Sequence, residues 1–174
     1  MQEISLNILD IVQNSIKAGA DLVGISIVTK NGIMTVTISD NGCGMDEEQL
    51  RNVTDPFFTT RTTRRVGLGV PFFKMSAEMT GGSFSIRSEK GVGTTVTAVF
   101  DTSHIDCMPL GNINETIFLL VTQNSCDFLY TRETDSAAFT LDTREFREIL
   151  GGIPLSSPEV AAFVKEFIAE NSPD

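Results

Sequence analysis

The sequence predicts an α/β fold: a two-layer sandwich of helices on a mixed sheet, with a small α+β appendage at the C-terminal end. Three observations predict it. Residues 4–18 carry a broad apolar face at helical spacing and lead into two alternating segments, 22–29 and 33–39, joined by Asn31-Gly32. Residues 69–80 repeat the move, a helical pattern followed by strands at 83–88 and 94–100 around the turn Glu89-Lys-Gly-Val-Gly93. With a short helix at 46–52, the first hundred residues read α-β-β-α-α-β-β, an order that suits helices on one face of a mixed sheet.

The elements follow from local chemistry. Ile8, Leu9, Ile11, Val12 and Ile16 form the apolar side of the first helix, and Gly19 supplies its stop. Asp46 and two glutamates favour a helix start at 46. Phe72, Phe73, Met75 and Met79 are the core candidates of the third helix, which Gly81-Gly82 ends. Residues 101–110, with Pro109, read as a linker between a first domain (1–100) and the appendage (112–174). Beyond it come a helix at 114–123 and a hairpin of 126–131 with 137–141. Asp142-Thr-Arg-Glu145 has the spacing of a capping box for a short helix that stops at Gly151. The last helix starts at Ser157-Pro158 and sets Val160, Phe163, Val164, Phe167 and Ile168 on one side.

Composition excludes several classes. No apolar run approaches the ~20 residues of a membrane span, and no membrane partner is expected. The N-terminus enters a helical pattern directly, without the blocks of a signal peptide. Cys43, Cys107 and Cys126 are odd in number and lack CxxC spacing, so neither a disulfide frame nor a zinc site is indicated. The expected compartment is the reducing cytoplasm. Residues 1–100 carry 9 Lys and Arg against 10 Asp and Glu, whereas 101–174 carry 4 against 13. An acidic C-terminal region argues against nucleic acid. It is either a solvated surface or a docking surface for a partner protein; a homodimer stays open.

Chemistry concentrates in a few segments. Asp10, Asn14 and Lys17 sit at i, i+4 and i+7 and so share one stripe of the first helix. A carboxylate, an amide and an ammonium there can position water, hold Mg²⁺ and touch phosphate; an ordinary polar face is the alternative. Asp40 continues the inward alternation of Met34, Val36 and Ile38, and a carboxylate so placed costs several kcal/mol unless paired. An adenine amino group is a suitable donor to it. Gly42 and Gly44 permit close backbone approach to a ligand, or make a tight turn. Gly67-Leu68-Gly69 at a helix entrance can present N–H groups to phosphates. Arg61, Arg64 and Arg65 before it can clamp phosphates or belong to a solvated loop. His104, the only histidine, falls in the linker, where an incidental role is expected.

Taken in order, Asp10-Ile-Val-Gln-Asn14, Asp40-Asn-Gly-Cys-Gly44, Asp55-Pro-Phe-Phe-Thr-Thr-Arg61, Gly67-Leu-Gly69 and Gly93-Thr-Thr95 resemble the GHKL superfamily of gyrase-type ATPases, Hsp90, sensor histidine kinases and MutL. The likeness covers residues 1–100 nearly throughout and is greatest to the kinase branch. It implies the Bergerat fold with ATP and Mg²⁺ as cofactors. Residue by residue it implies Asn14 as the Mg²⁺ ligand and Asp40 as the adenine contact, with Gly42, Gly44 and Met45 beside it. It further implies Thr95 supporting Asp40 or a bound water. Gly67, Leu68 and Gly69 would lie at the phosphates, with Lys17, Arg61 and Arg65 contributing from a lid. Asp10 stands where many relatives have a glutamate general base, and is one methylene shorter. Because the domain starts at residue 1, with no helical segment bearing an acceptor histidine before it, autophosphorylation on histidine is not expected. Stand-alone relatives include anti-sigma serine kinases. The expected function is therefore a regulatory Ser/Thr-type protein kinase acting on a partner; an ATP/ADP-sensing module and a slow ATPase are the alternatives.

Overall fold

The computed structural model describes residues 3–55 and 68–173. The elements run α1 (Ile4–Lys17), β1 (Leu22–Lys30), β2 (Ile33–Asp40), α2 (Glu47–Asn52), α3 (Gly69–Met79), β3 (Ser83–Glu89), β4 (Gly93–Asp101), α4 (Ile113–Gln123), β5 (Asp127–Glu133), β6 (Ala138–Asp142), α5 (Thr143–Leu150) and α6 (Pro158–Asn171). The six strands form one sheet in the order β3-β4-β2-β1-β5-β6. Its neighbours are antiparallel except β1 and β5, which run parallel and make the sheet mixed.

Period-2 alternation gives the sheet two unlike faces. Val23, Ile25 and Ile27 of β1, Met34, Val36 and Ile38 of β2, and Val96, Ala98 and Phe100 of β4 are buried beneath the helices. The opposite face is only partly covered. One row across all six strands there reads Ser85, Thr97, Thr37, Ser26, Thr131 and Thr140. This is the two-layer α/β sandwich the pattern predicts.

The strands of the 112–174 segment lengthen the sheet built by the first hundred residues. Phe128 and Tyr130 of β5 pair with Val23 and Ile25 of β1, and all four belong to one hydrophobic cluster with α1 and α4. The 102–112 segment does more than link. Pro109 and Leu110 carbonyls accept from Ile4 and Ser5 N–H at 3.0 and 2.9 Å, satisfying donors at the start of α1 that no helical carbonyl can reach.

Two local expectations, on α3 and at the start of α5, are corrected. On α3 the buried residues are Val70, Phe73 and Ala77, while Met75 and Met79 are half exposed; at 100° per residue they lie across the helix from Phe73. On α1 the fully covered side is Ile4, Ile8, Ile11 and Val12, with Leu9 and Ile16 at its edge. Asp142 caps α5 by accepting from Arg144 N–H at 3.0 Å; the reciprocal capping box occurs instead at Asp46 and Gln49 of α2.

Because Phe128 lies in a core shared with β1, Phe128→Ala is expected to destabilise the whole chain by about 3–5 kcal/mol, with a single transition in calorimetry. Two separated transitions, only one of them shifted, would contradict a shared core.

Candidate functional site

The site is assembled where α1 crosses the end of β2. Asp40, the last residue of β2, keeps the inward register of Val36 and Ile38. Its carboxylate accepts from Ser15 Oγ at 2.6 Å and from Gly42 N–H at 2.9 Å. These two donors satisfy part of a carboxyl group that would otherwise be costly to draw toward the core. They occupy part of its accepting capacity, since a carboxylate has about four lone-pair sites.

The loop after Asp40 is wedged between the end of α1 and the β3–β4 turn. Cys43 N–H donates to the Ala18 carbonyl at 2.9 Å, and Gly91 N–H donates to the Cys43 carbonyl at 2.7 Å. Asn41, just before, accepts from Asp21 and Leu22 N–H at 2.8 and 3.0 Å and so fixes the entry of β1. Gly42 is buried, and a Cβ there would stand 2.8 Å from Ala18 Cβ. Gly44 has φ +67°, and a side chain there would run into the Glu89 carbonyl. The chain's own packing therefore demands glycine at both positions, beyond any demand a ligand makes. Met45 N–H donates to Ser88 Oγ at 2.8 Å, tying the end of the loop to β3.

Thr95 is corrected by register. Asp40 pairs with Thr94 across β2 and β4, while Thr95 pairs with Ser39 and Arg87. Paired residues share a face, so Thr94 accompanies Asp40 and Thr95 points to the open side of the sheet. Thr94 Oγ1 lies 2.8 Å from Ser88 Oγ, which completes a hydroxyl pair beneath the loop.

Asp10, Asn14 and Lys17 follow one side of α1 as their spacing predicts. The first residue of α3 is set against this stripe: a Cβ at Gly69 would lie 3.1 Å from Asp10 Cβ and 3.7 Å from its Oδ2. The start of α3, with Leu68 half exposed before it, thus stands next to Asp10. Burial raises the Asp10 pKa above the ordinary carboxylate value, and the positive charge of Lys17 pulls part of the way back. Arg61, Arg64, Arg65 and Gly67 lie outside the described residues.

Sequence reasoning missed Ser15, Thr94, Ser88 and Asn7. Ser15 is recoverable from helical spacing, since it shares the covered side of α1 with Ile8 and Ile11, whereas Thr94 needs the register between β2 and β4. Asn7 extends the Asp10–Asn14 stripe by one turn; it is fully buried, and neither polar atom of its amide has a hydrogen-bond partner among the described residues. No motif marks it.

The raised pKa of Asp10 means that the folded state holds this proton more tightly than the unfolded chain. Its stabilising contribution is complete below the unfolded carboxylate range and is lost as pH rises through the folded value. Asp10→Asn is therefore expected to melt at the same temperature as wild type or higher near pH 7, the gap closing by about pH 4. A variant less stable at neutral pH would contradict the stated environment.

Comparison with known proteins identifies the family. Residues 3–104 match the family described as "Histidine kinase-, DNA gyrase B-, and HSP90-like ATPase". The chain is 37% identical over 70 residues to the autoinducer 2 sensor kinase/phosphatase LuxQ of Vibrio parahaemolyticus, covering 37% of this chain and 8% of that protein. It is 33% identical over 100 residues to the sensor protein SrrB of Staphylococcus aureus, covering 55% of this chain and 17% of that one. The chain thus spans less than a fifth of either relative's length. Among solved structures, the N-terminal domain of a DNA repair protein superposes with a TM-score of 0.56 at 14% identity, over 82% of this chain and 52% of that one. That likeness concerns the fold alone, and it reaches beyond the segment the family match covers. A mixed sheet under helices, an inward Asp40 at the end of β2, a polar stripe on α1 and a family match over more than half the chain lead to one conclusion: this chain belongs to the histidine kinase-, DNA gyrase B- and HSP90-like ATPase family, and carries its ATP-binding domain.

Proposed function

We propose that this chain is a Mg²⁺-ATP-dependent protein kinase that phosphorylates a serine or threonine hydroxyl on a partner protein. The observation that carries the reading is Asp10: a partly buried carboxylate of raised pKa, on the same stripe as Asn14 and beside the start of α3. A hydroxyl acceptor must lose a proton as its oxygen attacks, and a positioned carboxylate is the group that takes it. In the step, the acceptor oxygen bonds to the γ-phosphorus, the bond to the β,γ-bridging oxygen breaks, ADP leaves, and the hydroxyl proton passes to Asp10.

Asn14 fits the metal by donor chemistry, since Mg²⁺ takes oxygen ligands and is usually held by few protein groups plus phosphate. Among the described residues no group of three or more His, Cys, Asp or Glu could hold a metal alone. That suits an ion arriving with the nucleotide, where it would neutralise phosphate charge. Asp40 would accept from the adenine amino group through lone pairs that Ser15 and Gly42 leave open.

A second reading is favoured by one feature: Asp10 is one methylene shorter than the glutamate that stands in its place in many relatives, which shortens its reach toward an acceptor. Under it the domain senses ATP and ADP without transferring phosphate.

Asn14→Ala is expected to weaken Mg²⁺-ATP binding by about 10–100-fold in calorimetric titration. With γ-labelled ATP, the label should appear on proteins retained by the immobilised chain, survive acid, and be absent with Asp10→Asn. Acid-labile label would overturn the hydroxyl acceptor; binding without any labelled protein would favour the sensing reading.

A further inference from the structure

The C-terminal helices present a surface that the nucleotide site does not use. α5 and α6 enclose an open apolar groove of about 280 Å³, lined by Phe146, Ile149, Leu150, Val160, Phe163 and Val164. Its floor is aromatic: Phe146 meets Phe163 and Phe167 edge-on at centroid distances of 6.2 and 5.4 Å, and Phe163 stacks on Phe167 at 6.1 Å. Its walls are open to solvent. Ile149 is 82% exposed and Phe163 56%, unusual for large apolar side chains so close together.

The rim is acidic and unneutralised. Glu159 lines the groove, Glu166 and Glu170 continue its flank along α6, and Glu145 flanks the α5 side; all four are exposed and form no ion pair among the described residues. The three cations of these helices are engaged elsewhere. Arg144 pairs with Asp142 and Arg147 with Asp127, each at 2.8 Å, while Lys165 lies 3.9 Å from Glu115 and over the Phe118 ring.

We propose that this groove docks a basic amphipathic helix of a partner protein. An apolar trough with an aromatic floor takes side chains spaced i, i+3, i+4 and i+7 along a helix, and a glutamate rim selects lysine and arginine on its flanks. A second copy of the chain would set the same glutamates against one another. An anionic membrane would meet like charge as well. The proposal names the kind of partner that phosphoryl transfer requires and rests on that reading to that extent. The binding test needs no nucleotide, so its failure leaves the kinase reading intact.

The probe is a synthetic helix of leucine and lysine with leucine at i, i+3, i+4 and i+7. It should bind the full chain, and Ile149→Asp or Phe163→Asp should each weaken it by about tenfold or more, the far-UV spectrum unchanged because both residues are already exposed. The same leucine pattern carrying glutamate should not bind, nor should a scrambled leucine–lysine peptide. Equal affinity for the scrambled peptide, or no loss in either variant, would overturn the proposal. So would a dimer in sedimentation, or binding to phosphatidylserine vesicles, that Ile149→Asp abolishes, since either assigns the groove to another occupant.

Discussion

The carboxylate of Asp40, held at the inward end of β2, is the constraint around which the rest of the site is arranged. A polar group drawn toward the core is costly unless it is hydrogen-bonded, and the chain brings donors to this carboxylate. One comes from α1 through Ser15 and one from the loop through Gly42 N–H. Bringing them there sets the spacing between α1 and the sheet. The same need explains the loop: Gly42 must pass under Ala18, and Gly93 meets the Asp40 carbonyl so closely that no side chain fits, at a φ of +147°. Helix, strand, loop and turn thus meet at one residue. The surface left open on its carboxylate is what a ligand's amino group can use.

The fold was legible because its signals are local. Alternation in β1 and β2, Asn31-Gly32 with both residues at positive φ, and Gly81 after α3 each act within a few residues. What the sequence could not carry was relation between elements. Thr95 and Thr94 are adjacent in the chain, and only strand register decides which of them shares a face with Asp40. Met75 and Met79 are apolar and helical, yet which side of α3 is covered depends on where α1 and the sheet lie. Joining β5 to β1 in parallel is a long-range pairing, and no turn between those strands announces it. Asn7 is the extreme case, an amide whose burial no short pattern signals.

The charge asymmetry acquires a physical address. The acidic excess of residues 101–174 includes Glu145, Glu159, Glu166 and Glu170 along α5 and α6, near the exposed Ile149 and Phe163. The proposed nucleotide site lies at the β2 end of α1, and the groove lies on helices packed against α4 and β5. One continuous core connects the two, so a partner held at one place and a nucleotide held at the other are supported by the same sheet. Among the described residues no helix is long and apolar enough to cross a membrane.

We propose that Asp40 reads the base. Its carboxylate can accept from the amino group of adenine, whereas guanine offers a carbonyl oxygen at the same position. Calorimetric titration of the chain with ATP and with GTP, repeated on Asp40→Ala, tests this most directly. ATP should bind about 10–100-fold more tightly than GTP, and the variant should lose that preference together with its affinity for ATP. Equal affinity for the two nucleotides, or undiminished ATP binding by a folded Asp40→Ala, would contradict it.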